Sequence, residues 1–336
     1  MKIVVDAFGG DNAPLEIIKG AILAKNEYDI SIALTGSKTE IEKVATVNNL
    51  SLEGLELVEA PEIIDMHDEA KVVLKQKSNS SMSVALRMVA QNQADAVVSA
   101  GSTAAFLMGA TMIIKRIKGI KRPALGAVMP GLNGPYILVD CGANAEVRPE
   151  MLNQFGLMGS AYMKKVLKIT SPKVALANNG AEETKGTDLQ REAYLLLKNN
   201  EDINFVGNIE GRDIPSGEAA VVVADGFSGN LILKTVEGTA SFTFSLFKDI
   251  LTKNLFSKIA AAMLMSGIKD LRKKMDYTEY GGAPLLGLTK PAVKAHGSSN
   301  ANAIKNAIRQ AMQWSNAGVT EEIAIAVQNG IEEEDE

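Results

Sequence analysis

The segment Lys294-Ala295-His296-Gly297-Ser298-Ser299-Asn300 gathers a lysine, an imidazole and two hydroxyls in one short run. It follows the apolar Pro291-Ala292-Val293 and precedes a helical pattern from Ala301. A strand that breaks at Gly-Ser-Ser and re-enters as a helix presents backbone N–H groups and hydroxyls at a helix N-terminus. The helix dipole favours negative charge at the same place. The chemistry implied is capture of a phosphate or carboxylate, with His296 either contacting the ligand or orienting it.

Similar chemistry recurs wherever an apolar run ends. These ends are Asp6-Ala7-Phe8-Gly9-Gly10-Asp11, Ser99-Ala100-Gly101-Ser102-Thr103 and Asp140-Cys141-Gly142-Ala143-Asn144. Asn178-Asn179-Gly180-Ala181-Glu182-Glu183-Thr184-Lys185-Gly186 and Asp225-Gly226-Phe227-Ser228-Gly229-Asn230 complete the set. Ligands of parallel α/β sheets bind beyond the carboxyl ends of the strands. Glycine lets the backbone approach a ligand closely. The expectation is therefore a polar cleft, with all six strand ends on one edge of a sheet. Lys185, Lys294, amides and hydroxyls dominate these loops, which suits holding an anion and stabilising developing negative charge. Paired-carboxylate hydrolysis fits less well.

Several familiar chemistries are absent. Gly9-Gly10 lacks the third glycine of a dinucleotide fingerprint, and no loop ends in the Gly-Lys-Ser/Thr of a P-loop. Zinc-ligand spacing is missing, so neither metal nor cofactor is expected. Asp6 and Asp225 read as turn-holding residues or as bases. Cys141 reads as a buried thiol and His67 as a solvated loop residue.

The elements that must position these loops alternate. Apolar runs at Ile3–Asp6, Ile30–Leu34, Leu55–Val58, Ala96–Ser99, Ala124–Met129, Tyr136–Asp140, Lys173–Ala177, Asn204–Val206, Ala220–Val223 and Ala292–Lys294 predict strands. Most lack polar alternation, so both faces should be covered. Helical patterns at Pro14–Asn26, Thr39–Val47, Ser81–Gln93, Thr103–Lys115, Glu150–Val166, Thr187–Lys198 and Ala301–Trp314 fall between them. This βα alternation predicts one three-layer α/β/α domain over residues 1–336. Residues 230–280 differ: they are helical in pattern and carry Lys253, Lys258, Lys269, Arg272, Lys273 and Lys274. A projecting helical hairpin is predicted there, as a dimer surface or a lipid-touching face.

The chain has 336 residues, a net charge of −5 and one cysteine. Net negative charge without a basic aromatic stripe argues against nucleic acid as a partner. A lone cysteine forms no internal disulfide, and a reducing cytoplasm is expected. The opening run Lys2-Ile3-Val4-Val5-Asp6 reads as a strand and not as a secretory leader. No apolar run reaches the roughly 18 residues a spanning helix needs.

The loops taken in order resemble the acyl-[acyl carrier protein]:phosphate acyltransferase (PlsX) family. The resemblance rests on Val5-Asp6-Ala7-Phe8-Gly9-Gly10-Asp11, Asn79-Ser80-Ser81-Met82, Ser99–Thr103, Arg116–Ala124, Asp140–Asn144, Glu183–Gly186, Asp225–Asn230, Tyr280-Gly281-Gly282-Ala283 and Lys294–Ser299. It implies a fold related to phosphate acetyltransferases and isocitrate/isopropylmalate dehydrogenases. It also implies transfer of a fatty acyl group from acyl carrier protein to inorganic phosphate, giving acyl phosphate for bacterial phospholipid synthesis.

Implied partners are acyl carrier protein, inorganic phosphate, a second copy of the chain, anionic membrane and a glycerol-3-phosphate acyltransferase. The implied location is cytoplasmic and peripherally membrane-associated. On this reading Lys185, Asn230, Lys294 and His296 are catalytic. Asp6, Gly9, Gly10, Ser99, Gly101, Ser102, Thr103, Asn144, Gly180, Asp225, Gly226, Gly229, Gly297, Ser298 and Ser299 bind substrate. Two basic clusters, Arg116/Lys118/Lys121/Arg122 and Lys269–Lys274, are candidates for docking the acidic carrier protein. A pyridine-nucleotide dehydrogenase, an acyl-CoA-dependent phosphate acetyltransferase and a membrane-docked scaffold are the competing readings.

Overall fold

The computed structural model describes residues 1–275 and 277–334. Among the described residues, eleven strands form one sheet. They are β1 (Lys2–Asp6), β2 (Ser31–Gly36), β3 (Leu55–Glu59), β4 (Ala96–Ser99), β5 (Ala124–Met129), β6 (Tyr136–Val139), β7 (Lys173–Asn178), β8 (Asn204–Glu210), β9 (Val221–Val223), β10 (Ala283–Leu286) and β11 (Ala292–Lys294). The helices are α1 (Leu15–Glu27), α2 (Lys38–Val47), α3 (Ser81–Ala90), α4 (Thr103–Gly109), α5 (Pro149–Lys165), α6 (Asp188–Lys198), α7 (Gly226–Thr252), α8 (Leu255–Met275), α9 (Ala301–Ala317) and α10 (Val319–Glu334).

Both faces of the sheet are covered, because successive side chains of each strand enter different cores. Ile3 and Val5 pack with Ile17, Ile304 and Ile308 of α1 and α9. Val4 points the other way, to Met82, Leu86 and Phe106 of α3 and α4. In the other half, Val221 and Val223 pack beneath α5, while Val222 faces Ile232, Leu233 and Val236 of α7. Burying each such aliphatic side chain contributes about 1.5–3 kcal/mol. The result is a three-layer α/β/α fold.

Short polar side chains start the helices where the sequence places them. Ser37, Ser80, Ser102, Asp225 and Asn300 each accept a backbone N–H of the first turn, which satisfies one otherwise unpaired donor. Gly318, in the left-handed region at φ +69°, closes α9 and lets α10 begin. The short strand β10 and the helix α10 escaped the periodicity reading. A four-residue strand leaves little pattern. The predicted helix from Thr103 to Lys115 ends earlier, at Gly109, and continues as a π-helical turn over Ala110–Ile114.

The strand order β3-β2-β1-β4-β11-β10-β5-β6-β9-β7-β8 corrects one expectation. Strands β1, β2, β3, β4 and β11 are mutually parallel. Strand β10 is antiparallel to both β11 and β5, and β5 is antiparallel to β6. Strands β6, β9, β7 and β8 then run parallel to one another, opposite to β1. The six Gly-rich strand ends therefore do not share one edge. Those of β1, β4 and β11 leave in one direction, and those of β6, β7 and β9 in the other. Two crossover strands make the difference, and antiparallel reversal carries no signature in apolar runs.

Helices α7 and α8 form a hairpin joined at Lys253-Asn254. Phe242, Leu246, Phe247, Ile250, Leu255 and Phe256 on it are exposed. The side chains of Lys269, Arg272, Lys273 and Lys274 lie outside the described residues. Among the described residues, no helix is long and apolar enough to cross a membrane.

Candidate functional site

The first three strand ends interlock. The Asp6 carboxylate, 1% exposed, accepts the Ser99 hydroxyl at 2.7 Å and the Phe8 N–H at 3.3 Å. Ser99 Oγ in turn accepts the Gly101 N–H at 3.1 Å. Gly9 lies flat against this group: a Cβ there would stand 2.5 Å from Gly101 N and 2.6 Å from Asp6 Oδ2. The third loop closes over the first through Asp11 N–H to Gly297 O (2.8 Å) and Asn12 Nδ2 to Ser298 O (3.1 Å). Burial pushes the Asp6 carboxyl up, opposed by the Ser81 and Ser99 hydroxyls and the Phe8 amide.

Lys294 ends β11 inside this group and is 7% exposed. Its ammonium donates to the Ala295 carbonyl. Burial brings it down to about 8, with the Asp6 and Asp11 carboxylates opposing the fall. A buried lysine poised near neutrality is common at functional sites, because a charge held there must be answered by a ligand or a partner.

His296 Nδ1 accepts the Ser298 N–H at 3.2 Å and lies 2.8 Å from Ser298 Oγ. That contact assigns the neutral ring's proton to Nε2, so an N–H faces outward. Residue His296 is exposed by area, yet desolvation of its ring is the main cause holding its pKa below the ordinary value. The positive charge of Lys234 is the second cause, with Glu237 opposing it and Lys294 adding to it. Ser299 is buried, and its N–H binds the His296 carbonyl.

The opposite set of strand ends is held more tightly. Asp140, fully buried, accepts from the N–H groups of Leu125, Gly142, Ala143 and Asn144 and from the Asn144 side-chain amide. Asn144 also donates to Pro123 O, and its own carbonyl accepts the Gly226 N–H at 2.8 Å. Helix α7 lands directly on this loop. A Cβ at Gly229 would lie 1.8 Å from the Asp140 carbonyl, which only glycine permits. A Cβ at Gly142 would stand 3.2 Å from Asn230 Nδ2. Asp225 caps α7 through Ser228 N at 2.8 Å. Cys141 is buried, and burial pushes its thiol well up.

The two sets face one another across β10 and β5. Strand β10 pairs with β11 through Ala283 and Pro284, and with β5 through Leu285 and Leu286. This stagger leaves a closed crevice, too small to hold a water molecule, lined by Thr103, Phe106, Leu107, Leu125, Ala143, Leu285 and Lys294. Its lining comes from α4, β5, the loop after β6, β10 and β11.

Not every predicted residue joins this centre. Gly180 and Lys185 sit in a loop that folds on itself. Asn178 Nδ2 donates to Lys185 O, Lys185 N–H donates to Glu182 O, and Glu183 pairs with Lys198 at 2.8 Å. Lys185 is exposed, and among the described residues its ammonium has no hydrogen-bond or ion-pair partner. The structure does not bring it against Lys294 or His296. Ser102 caps α4, and Thr103 lines the crevice. Gly10 has positive φ and packs against Gly297 O. Arg116 donates to the Ile120 and Lys121 carbonyls, and Arg116, Lys118, Lys121 and Arg122 are all exposed. His67 is exposed on its loop.

The sequence profile described as "Fatty acid synthesis protein" matches residues 1–322. The phosphate acyltransferase of Alkaliphilus oremlandii (strain OhILAs) is 49% identical over 327 residues, covering 97% of each chain. The chain belongs to the phosphate acyltransferase family. A second member, from Thermoanaerobacterium thermosaccharolyticum, is 49% identical over 93% of this chain and 92% of its own. Among solved structures, a phosphotransacetylase from Streptococcus pyogenes shares the family's fold, with a TM-score of 0.65 at 20% identity over 94% of both chains. A branched-chain phosphotransacylase from Enterococcus faecalis V583 follows at 0.58 and 17% identity, over 94% of this chain and 99% of its own. A 4-hydroxythreonine-4-phosphate dehydrogenase from Salmonella typhimurium gives 0.56 at 11%, over 93% and 98%. At these identities the likeness is one of fold.

Proposed function

We propose that the protein transfers a fatty acyl group from acyl carrier protein to inorganic phosphate, releasing acyl phosphate and the carrier thiol. The observation that carries this reading is Lys294, a cation buried among the β1, β4 and β11 loops of a chain whose relatives are named phosphate acyltransferases. A cation held there suits the phosphate or the reacting oxyanion.

In this scheme a phosphate oxygen attacks the thioester carbonyl carbon. A tetrahedral oxyanion forms, the C–S bond breaks, and the thiolate leaves to take a proton from solvent. A thiol with a free pKa of about 8.5 needs little acid assistance. Lys294, Ser298 and Ser299 hold phosphate, and the outward Nε2–H of His296 with the Asn230 amide donates to phosphate or oxyanion. One such donor is worth about 2.7–4 kcal/mol in the transition state. Lys185 enters this centre only if its loop closes on bound phosphate. The exposed apolar side chains of α7 and α8 support the same protein acting as a homodimer at an anionic membrane.

The test is phosphate-dependent release of holo-carrier protein from palmitoyl-carrier protein, with acyl phosphate detected as product. Release without phosphate, or faster turnover of acetyl-CoA, would overturn the reading.

A further inference from the structure

The stretch between α4 and β5 carries Lys115, Arg116, Lys118, Lys121 and Arg122, and no Asp or Glu occurs anywhere in residues 96–139. This is a local excess of positive charge in a chain whose net charge is −5. The excess is exposed and unanswered. Among the described residues none of the five makes an ion pair, whereas Lys164, Lys165, Lys198 and Lys305 elsewhere sit 2.7–3.0 Å from carboxylates.

The fold holds these cations as a fixed hook. The π-helical turn after α4 ends at Lys115 with φ 76° and ψ 158°, a conformation ordinarily left to glycine. Lys115 O accepts the Thr289 N–H at 3.0 Å, and the Ile117 N–H donates to Gly287 O at 3.0 Å. These bonds lay the hook along residues 287–289 and bring Lys290, also without an ion pair, beside it. A turn closed by Ile120 N–H to Ile117 O at 3.1 Å follows, and the Arg116 guanidinium crosses it to the Ile120 and Lys121 carbonyls. On the far side Gln154 of α5 accepts the Lys121 N–H at 2.8 Å and donates to Gly119 O at 3.0 Å. Glu150, one turn earlier on α5, pairs with none of the cations. Ile117 and Ile120 point inward, 5% and 4% exposed, so the hook shows charge and no large apolar side chain.

The sheet register places the hook relative to Lys294. Lys294 lies opposite Ala283 of β10, and Leu286 of β10 lies opposite Ala124, where the hook enters β5. Two strand spacings across and three residues along make about 14 Å. A surface that anchors in lipid combines cations with apolar side chains that enter the bilayer. A fixed array of cations without them suits the carboxylates of a folded acidic protein, which such a field steers and orients.

We infer that the 115–122 hook and Lys290 form the surface on which the acidic carrier protein docks, its phosphopantetheine arm spanning the distance to Lys294. The inference rests on the acyl-to-phosphate reading above and names the place where its donor lands.

The test uses the full-length protein with Lys118→Glu, Lys121→Glu and Arg122→Glu combined, leaving Arg116 to hold the turn. The KM for palmitoyl-carrier protein should rise about tenfold or more. The KM for phosphate and the turnover of palmitoyl-pantetheine, a donor without the carrier, should stay close to wild type. Binding of holo-carrier protein alone, followed by fluorescence anisotropy, should weaken in parallel. Added salt should weaken it far more in the wild type than in the variant, because screening removes what reversal has already removed. Lys118→Arg, Lys121→Arg and Arg122→Lys combined should behave as wild type. If the triple reversal melts early, the single variants Lys118→Glu and Lys121→Glu should show the same selective effect at smaller size. Unchanged carrier KM and binding overturn the inference. So does an equal fall with palmitoyl-pantetheine, which would make the hook part of the reaction centre. Loss of binding to phosphatidylglycerol vesicles with carrier binding intact overturns it too, as a lipid surface. A wild type that binds the carrier through the hook but transfers no acyl group sinks the proposed activity and leaves the docking surface standing. A wild type that binds no carrier sinks the docking surface.

Discussion

Asp6 and Asp140 invite comparison. Each follows an apolar strand, each is buried, and burial pushes each carboxyl up. They lie in opposite halves of the sheet, at strand ends that run in opposite directions. Asp140 is surrounded by five N–H donors, four of them backbone. It is a knot that shapes the 140–144 loop and seats α7. Asp6 takes hydroxyl partners from Ser99 and Ser81 and stands in the field of Lys294. A carboxylate answered by backbone amides fixes a loop. One answered by hydroxyls and a buried cation tunes a site. The residue type and its place after a strand are the same, and the partners set the role.

The largest effect should come from Asp140→Ala. Orphaned buried donors cost about 1–3 kcal/mol each, so urea unfolding should report a loss of more than about 4 kcal/mol or an unfolded protein. A stable variant would show that the loop does not depend on this knot. Next, Lys294→Met should lower acyl-transfer kcat/KM by about 10²–10³-fold, the scale of one lost oxyanion or phosphate donor. Its stability should hold or rise, because an incompletely compensated buried charge is removed. If Lys294→Met unfolds as readily as Asp140→Ala, the division into knot and site breaks down.

The pH dependence separates the halves further. Lys294 sits at about 8 in the folded chain against an ordinary 10.5, so between those values the unfolded chain binds the extra proton. Stability from this group should therefore rise with pH across that window, with a slope of at most about 1.4 kcal/mol per unit. Below about 8 both states are protonated and the group contributes no slope. Activity should fall over the same window as the ammonium is lost. Chemical unfolding and initial rates at matched pH values test the opposed trends, and Lys294→Met should remove the stability slope. The smallest effect should come from Asp6→Asn. Its Oδ1 keeps the Phe8 N–H and the new Nδ2 can donate to Ser99 Oγ in place of the lost Oδ2 contact, so the melting curve should move little. Lys294 loses a neighbour that raises its pKa, so the alkaline limb of kcat/KM should shift down by about half to one pH unit. An unmoved limb would show that Asp6 serves the fold alone.

Much of the fold was legible along the chain because its signals are local. Ile3–Asp6, Ala96–Ser99 and Ala292–Lys294 read as buried strands from their apolar runs, and Ser81–Gln93 and Ala301–Trp314 read as helices from their pattern. The Lys294–Asn300 loop read as a candidate anion site for the same reason. Less of the site was legible. Nothing in the sequence separates Lys294, sealed in the protein, from Lys185, exposed on a loop closed on itself. Nothing in the sequence sets Asn230 against Gly142 until α7 seats on the Asp140 carbonyl.

The sequence by itself determined the strands, the caps, the glycines that allow close approach and the family, since each depends on residues near one another or on their order. Only the tertiary structure decided which loops meet. The antiparallel strands β10 and β5 reverse half of the sheet and then bring its two halves face to face. That depends on backbone pairing between residues far apart in sequence, which leaves no trace in the pattern of any one segment.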